Sequence, residues 1–257
     1  MTELENRVSG EKIALTIMYD GTRFHGWQVQ NNARSVQGAL QDSLEVVLGF
    51  RPDVTGVSRT DSGVHANNYV CHILKDDVKI PPERLAAALN SHLRDSGIAV
   101  KGAEIKDADF HARYSCTAKE YVYKIWNAKY MNPFFKDRAM FYPMEIDIEK
   151  MRFAEKEFVG THDFRAFMTK GSKNEDNTVR SVKYFNVTKE NELITISVCA
   201  DGFLYNMVRI MVGTYIDLAR REANEGAVSK IIDSCDRQFA GDTAPACGLY
   251  LNKIFYE

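Results

Sequence analysis

The apolar residues between Lys12 and Ile105 change period from segment to segment, in an order that restricts the fold more than any single motif does. Lys12–Tyr19 (KIALTIMY) is rich in β-branched and aromatic residues and ends at Asp20-Gly21, which predicts a strand running into a turn. Ser35 stands as an N-cap before Val36, Leu40, Leu44, Val47 and Leu48, whose spacing predicts an amphipathic helix to about Leu48. Asp53–Ser58 and Asn68–Leu74 read as short strands. Pro81-Pro82 opens a second helix to about Leu93, because proline is tolerated in a first helical turn. Ile98–Ile105 closes the half as a strand, and the order is β-α-β-β-α-β.

The second half repeats this order. Cys116–Asn127 alternates as a long strand, and Asp147–Phe158 has helical spacing. Val179–Thr188 and Leu193–Ala200 form a hairpin around Lys189-Glu190-Asn191, Phe203–Arg220 is a helix, and Leu249–Phe255 is a last strand. A short helix at about Ala227–Cys235 is interposed. The expected fold is therefore α+β: two ferredoxin-like halves sharing an extended, mainly antiparallel sheet, with helices packed on one face. The expected domains are 1–108 and 109–257, with the boundary near Asp107–Ser115. Met168–Thr178 (MTKGSKNEDNT) is polar and contains glycine, and reads as an exposed, mobile loop.

At 257 residues, with 45% hydrophobic and 26% charged side chains, the chain has the make-up of a soluble globular protein with a substantial core. It holds no apolar run long enough to span a bilayer, and Met1–Glu11 has no signal-peptide core, so no membrane association is expected. Five scattered cysteines without a Cys-x-x-Cys pair argue for reduced cytoplasmic thiols. Neither they nor the six histidines have metal-ligand spacing, and no metal is expected. The net charge of −2 argues against a nucleic-acid partner, although a local basic groove on a neutral protein still gathers phosphates.

Four features carry chemistry. The first is Gly56-Val57-Ser58-Arg59-Thr60-Asp61-Ser62-Gly63-Val64-His65-Ala66, a loop between two strands with Arg59 and Asp61 two residues apart. A carboxylate beside a fixed cation stays ionised and aimed, as a nucleophile or general base must. Taken alone, Thr-Asp-Ser-Gly reads first as ordinary turn chemistry. The second is Arg209, a cation in a helix that is apolar nearly all round. Either it lies on a wet stripe with its stem over apolar neighbours, or it is a half-buried guanidinium that needs an anion, for which Asp61 is a candidate. The third is Tyr121, which alternation places with Tyr123 and Ile125 on one strand face; taken alone it reads first as a core residue, and its functional use would be stacking on a base. The fourth is the polar loop Tyr19–Gln30, where Trp27 packs down as a lid or Trp27 and Gln28 meet a ligand.

Together these segments resemble the TruA family of tRNA pseudouridine synthases. The resemblance runs through YDGTRFHGWQVQ (Tyr19–Gln30), SVQGAL (Ser35–Leu40), SRTDSGVHA (Ser58–Ala66) and FHARYSCTAKEYVYKIWN (Phe110–Asn127). It continues through GTHDFRAF (Gly160–Phe167), DGFLYNMVRIMVG (Asp201–Gly213) and TAPACGLYL (Thr243–Leu251). Ser58 and Ser62 stand where the family more usually has Gly and Ala, which leaves Arg59-Thr60-Asp61 intact. The resemblance implies isomerisation of uridine to pseudouridine at positions 38, 39 and 40 of the tRNA anticodon stem-loop, by a cytoplasmic homodimer. It also implies Asp61 as the catalytic aspartate, Tyr121 as the ring stacked on the target uracil, Arg209 as the partner of the aspartate, and Arg59 as a residue that helps push out the base. His65, Trp27 and Gln28 complete the expected substrate-binding set.

The reaction moves the sugar from N1 to C5 of uracil without redox change or net water, so no cofactor is expected. The alternatives are a non-catalytic RNA-binding protein with two RNA-recognition-like halves, though no RNP1-like string is present, and a small-molecule hydrolase using Asp61. Arg23, Arg34, Arg84, Lys119, Arg165 and Lys170 are expected to line the basic groove.

Overall fold

The computed structural model describes residues 10–76, 78–169 and 177–256; residues 1–9 and most of the Met168–Thr178 loop, Lys170 included, lie outside the described residues. In chain order the elements are β1 Lys12–Tyr19, α1 Val36–Leu48, β2 Thr55–Gly56, β3 His65–Leu74, α2 Pro82–Leu93, β4 Ile98–Lys106 and β5 Cys116–Trp126. There follow β6 Met140–Phe141, α3 Arg152–Phe158, β7 Gly160–Asp163, β8 Val179–Glu190, β9 Leu193–Ala200, α4 Met207–Arg220, α5 Ala227–Ser234 and β10 Leu249–Tyr256. The protein is α+β, with ten strands in a mixed sheet among the described residues. It divides into two compact units, one running to Thr117 and taking in the chain from Leu251 on, the other Ala118–Tyr250.

In the first unit the strand order is β4-β1-β3, with β2 and β10 both pairing with β3. β1 is antiparallel to both neighbours: Leu15 faces Cys71 on β3 and Ala103 on β4. Alternation puts Ile13, Leu15, Ile17 and Tyr19 inward together with Tyr69, Cys71 and Ile73, and α1 and α2 add Leu40, Leu44, Leu85 and Leu89 to the same core. Helix α1 begins where expected because the Ser35 side chain accepts from the Gly38 amide at 3.1 Å, satisfying one of the free donors of the first turn. The strand expected over Asp53–Ser58 shrinks to two residues, since only Thr55 and Gly56 find ladder partners, His72 and Cys71. Asn67 and Asn68 tie β3 to the last strand, donating to the Asn252 side chain and carbonyl, each at 2.8 Å.

In the second unit the order is β5-β9-β8-β7, with β6 parallel to the end of β5. Tyr121 lies opposite Val198 and Tyr123 opposite Ile196, and β8 and β9 form the expected hairpin, which turns at Asn191 with φ 53°. Phe158, Phe164, Phe167, Phe185 and Tyr215 fill the core; Phe158 stacks on Phe185 with centroids 4.7 Å apart. Two helices begin later than expected. The Asp147 carboxylate accepts from the Glu149 and Lys150 amides and holds a turn, so α3 starts at Arg152. The segment before α4 is a turn that ends at Asn206 in the left-handed region, so α4 starts at Met207 rather than Phe203.

Candidate active site

The Ser58–Val64 loop is braced by backbone rather than by side chains alone. Asp61 begins a tight turn: its carbonyl oxygen accepts from the Val64 amide at 3.2 Å, and Gly63 takes φ 79°, the conformation that a type II turn demands of its third residue. The turn reading of Thr-Asp-Ser-Gly therefore holds. The Tyr19–Gln30 loop packs against it. The Trp27 amide donates to the Thr60 carbonyl at 3.1 Å, and the Gly63 amide donates to the Phe24 carbonyl at 3.3 Å. Tyr19 and Thr60 share a hydroxyl hydrogen bond of 2.8 Å. The two backbones approach so closely at Gly26 that a Cβ there would lie 2.5 Å from the Thr60 oxygen.

This bracing sorts the loop side chains. Thr60 points into the core, Asp61 and Ser58 are half-buried, and Arg59 is exposed. Beneath the loop Trp27, 3% exposed, stacks on Tyr69 at 4.1 Å and 25°, and the Tyr69 hydroxyl donates to the Ser58 carbonyl. His65, 2% exposed, accepts from the Gly21 amide through Nδ1 at 3.1 Å, with Asp20 Oδ1 3.4 Å away. Of the residues expected at a substrate in this unit, Arg59 and Gln28 thus face solvent, whereas Trp27 and His65 are buried beneath the loops. Arg23 and Arg34 both reach the Asp95–Ser96 turn, and the Arg34 guanidinium lies 5.0 Å from the Phe24 ring centre.

The second unit holds Tyr121 and Arg209. Tyr121 is buried on β5 and makes a T-shaped contact with Phe203, with centroids 5.1 Å apart and planes at 87°. Its neighbour two residues on, Tyr123, donates to the Pro245 carbonyl at 2.7 Å, and burial pushes its hydroxyl well above the usual range. Arg209 is half-buried on the first turn of α4. Its Nε donates to the Ala244 carbonyl at 2.7 Å and its Nη1 to Asn206 Oδ1 at 2.8 Å, so the plane of the guanidinium is fixed from two directions. That is more than a snorkelling side chain needs. Asn206, Phe203 and Ala244 escape a reading of the sequence, because helical spacing absorbs the first two. An asparagine just before an apolar helical run is nevertheless an N-cap signal.

In chemical terms the first unit presents a carboxylate on a stiff turn next to an exposed arginine. The second presents a guanidinium of fixed orientation and a tyrosine ring in T-shaped contact with a phenylalanine. Each of these groups is of a kind that serves in electrostatic or acid–base chemistry.

Comparison with known proteins gives the chain a class. The family model described as tRNA pseudouridine synthase matches residues 15–115 and 154–257, and the chain belongs to that family of isomerases. The tRNA pseudouridine synthase A of Ruminiclostridium cellulolyticum is 44% identical over 246 residues, spanning 95% of this chain and 99% of that protein. The protein of the same name from Thermoanaerobacter sp. is 43% identical over 244 residues, again with 95% and 99% covered. Among solved structures, a Cbf5-Nop10-Gar1 complex matches at a TM-score of 0.34 and 12% identity, covering 79% of this chain and 53% of that one.

Proposed function

We propose that this protein converts uridine to pseudouridine in the anticodon stem-loop of tRNA, at positions 38, 39 and 40. Asp61 attacks the nucleotide or removes a proton from it, Tyr121 stacks on the displaced uracil, and Arg209 is the counter-charge that keeps the carboxylate ionised. Arg59 and Gln28, both exposed, contact the RNA, and His65 and Trp27 support the loop from beneath. The first unit in this reading carries the catalytic loop, and the second carries the ring and the guanidinium. The enzyme works as a cytoplasmic homodimer.

One observation carries the reading: the bracing of the Asp61 turn by the Tyr19–Gln30 backbone. A target base must leave its stack, which costs a few kcal/mol, and a preformed site offsets that cost best when it need not reorganise. The N1–C1′ bond breaks, the base turns, and C5–C1′ forms; the C5 proton is lost and N1 gains one, so atoms and charge balance. Non-catalytic RNA binding is the competing reading, and it gives a carboxylate so placed no task.

The test is to incubate the purified protein with an unmodified tRNA transcript and map pseudouridine by chemical labelling and primer extension. Signal confined to positions 38–40 is expected. Tight binding without any pseudouridine would overturn the enzymatic reading, and signal elsewhere in the tRNA would overturn the positions.

A further inference from the structure

Asn206 breaks two local rules at once. It is the N-cap residue of α4, yet its side chain makes no capping bond to the first-turn amides, although asparagine is among the best caps because its oxygen accepts from them. It also sits at φ 62° and ψ 8°, a left-handed conformation that asparagine tolerates better than most residues but that still carries strain. The carboxamide is used elsewhere. Oδ1 accepts from Arg209 Nη1 at 2.8 Å, and Nδ2 donates to Thr169 Oγ1 at 2.9 Å. Arginine only donates, so Oδ1 must face Arg209, and the amide nitrogen is left for the hydroxyl. Thr169 is itself held, its amide donating to the Tyr205 carbonyl at 3.2 Å. Three residues before Asn206, Phe203 makes a T-shaped ring contact with Tyr121.

We infer that Asn206 is a positioning residue for the isomerisation. Its carboxamide, anchored by Thr169, sets the plane of the Arg209 guanidinium, and the left-handed turn is kept because it aims the amide there instead of at the helix. The inference rests on the reading of Arg209 as the counter-charge of the catalytic carboxylate. The same turn steadies Tyr121 through Phe203, so one short segment orients both second-unit groups.

Asn206→Gly separates the amide from the backbone, since glycine adopts the left-handed conformation freely. We expect kcat on a tRNA transcript to fall about tenfold, as for loss of a hydrogen bond to a charged group, with KM within about twofold of wild type. The acid limb of the kcat–pH profile should move to higher pH, because a loosened guanidinium holds the carboxylate ionised less well. Asn206→Asp keeps both the backbone conformation and the acceptor, but its charge draws Arg209 to itself; kcat should fall there too. A purely structural role would lower thermal stability without moving the pH limb. Wild-type kcat in Asn206→Gly, or a loss confined to KM, would overturn the inference. If Asn206→Gly does not fold, Thr169→Val decides, since it removes the anchor of the amide: a lower kcat with a shifted acid limb supports the role, and an unchanged profile overturns it. A wild-type protein that forms no pseudouridine would remove the function and this role together, whereas wild-type turnover with an unimpaired Asn206→Gly removes only the role.

Discussion

Arg209 and Ala244 are joined twice: the Ala244 amide donates to the Arg209 carbonyl oxygen at 3.1 Å, and Arg209 Nε donates to the Ala244 carbonyl oxygen at 2.7 Å. The segment that ends at Ala244 therefore lies along the first turns of α4, and the position of Arg209 depends on how closely it can approach. One turn on, at Gly213, the two backbones nearly touch. A Cβ there would lie 1.7 Å from the Asp242 carbonyl oxygen, a backbone atom that cannot swing aside.

Gly213→Ala should accordingly push the 241–244 segment off the helix and pull Arg209 with it. Overpacking of this kind costs about 1–3 kcal/mol, and more when the obstructing atom is backbone. Urea denaturation should show that loss, and activity should fall by more than the loss of folded protein explains. A variant as stable and active as wild type would mean that the segment adjusts without disturbing Arg209.

Asp61→Asn preserves the size of the side chain and removes its charge and basicity. Pseudouridine formation should drop by about 10²–10⁴-fold, the usual range for a lost acid–base group, while tRNA affinity changes little. Single-turnover assays and filter binding measure the two separately. Turnover near the wild-type rate would exclude Asp61 from the chemistry.

Arg209→Lys keeps a positive charge but cannot bond Ala244 and Asn206 while holding a planar fork in place. Hydrogen bonds to charged groups contribute about 1.5–3 kcal/mol, so kcat should fall roughly 10- to 100-fold. The comparison that matters is with Asn206→Gly: the double variant should be little worse than Arg209→Lys alone, because both changes act through one guanidinium.

Stability should also fall with acid in a defined window. His72 is buried, accepts from the Ala112 amide through Nδ1 at 3.2 Å, and packs against His111 with ring centres 5.1 Å apart. Burial first, then the charges of His111 and Lys12, hold its pKa down to about 4 from the ordinary 6.5. Burial pulls His111 down as well. The unfolded chain therefore takes up a proton at His72 below pH 6.5 that the folded protein refuses until about pH 4. Unfolding free energy should be steady above that window, decline as pH falls through it, and lose less in His72→Gln. An unchanged slope in the variant would assign the acid sensitivity to other groups.

Most of this architecture is legible in the sequence, for a local reason. β1 spans Lys12–Tyr19 and α1 runs from its Ser35 cap to Leu48, because period and capping are decided within a few residues. The Asp61 turn is equally local, Gly63 supplying the positive φ. The motif order also gave the candidate residues Asp61, Tyr121 and Arg209, but not what holds them.

That was decided by neighbours distant in the chain. The strands β6 and β7 exist because β5 and β8 offer them a partner, a choice their two and four residues cannot make alone. Trp27 and His65 are buried because the Tyr19–Gln30 loop folds onto the Asp61 turn. Helical spacing continues back to Phe203, yet α4 starts at Met207, because Asn206 takes a left-handed backbone that interrupts the helix while its side chain bonds Arg209 and Thr169. Periodicity records which face of a segment is apolar. Where a segment ends, and which polar group it holds in place, is settled only when the partner arrives from elsewhere in the fold.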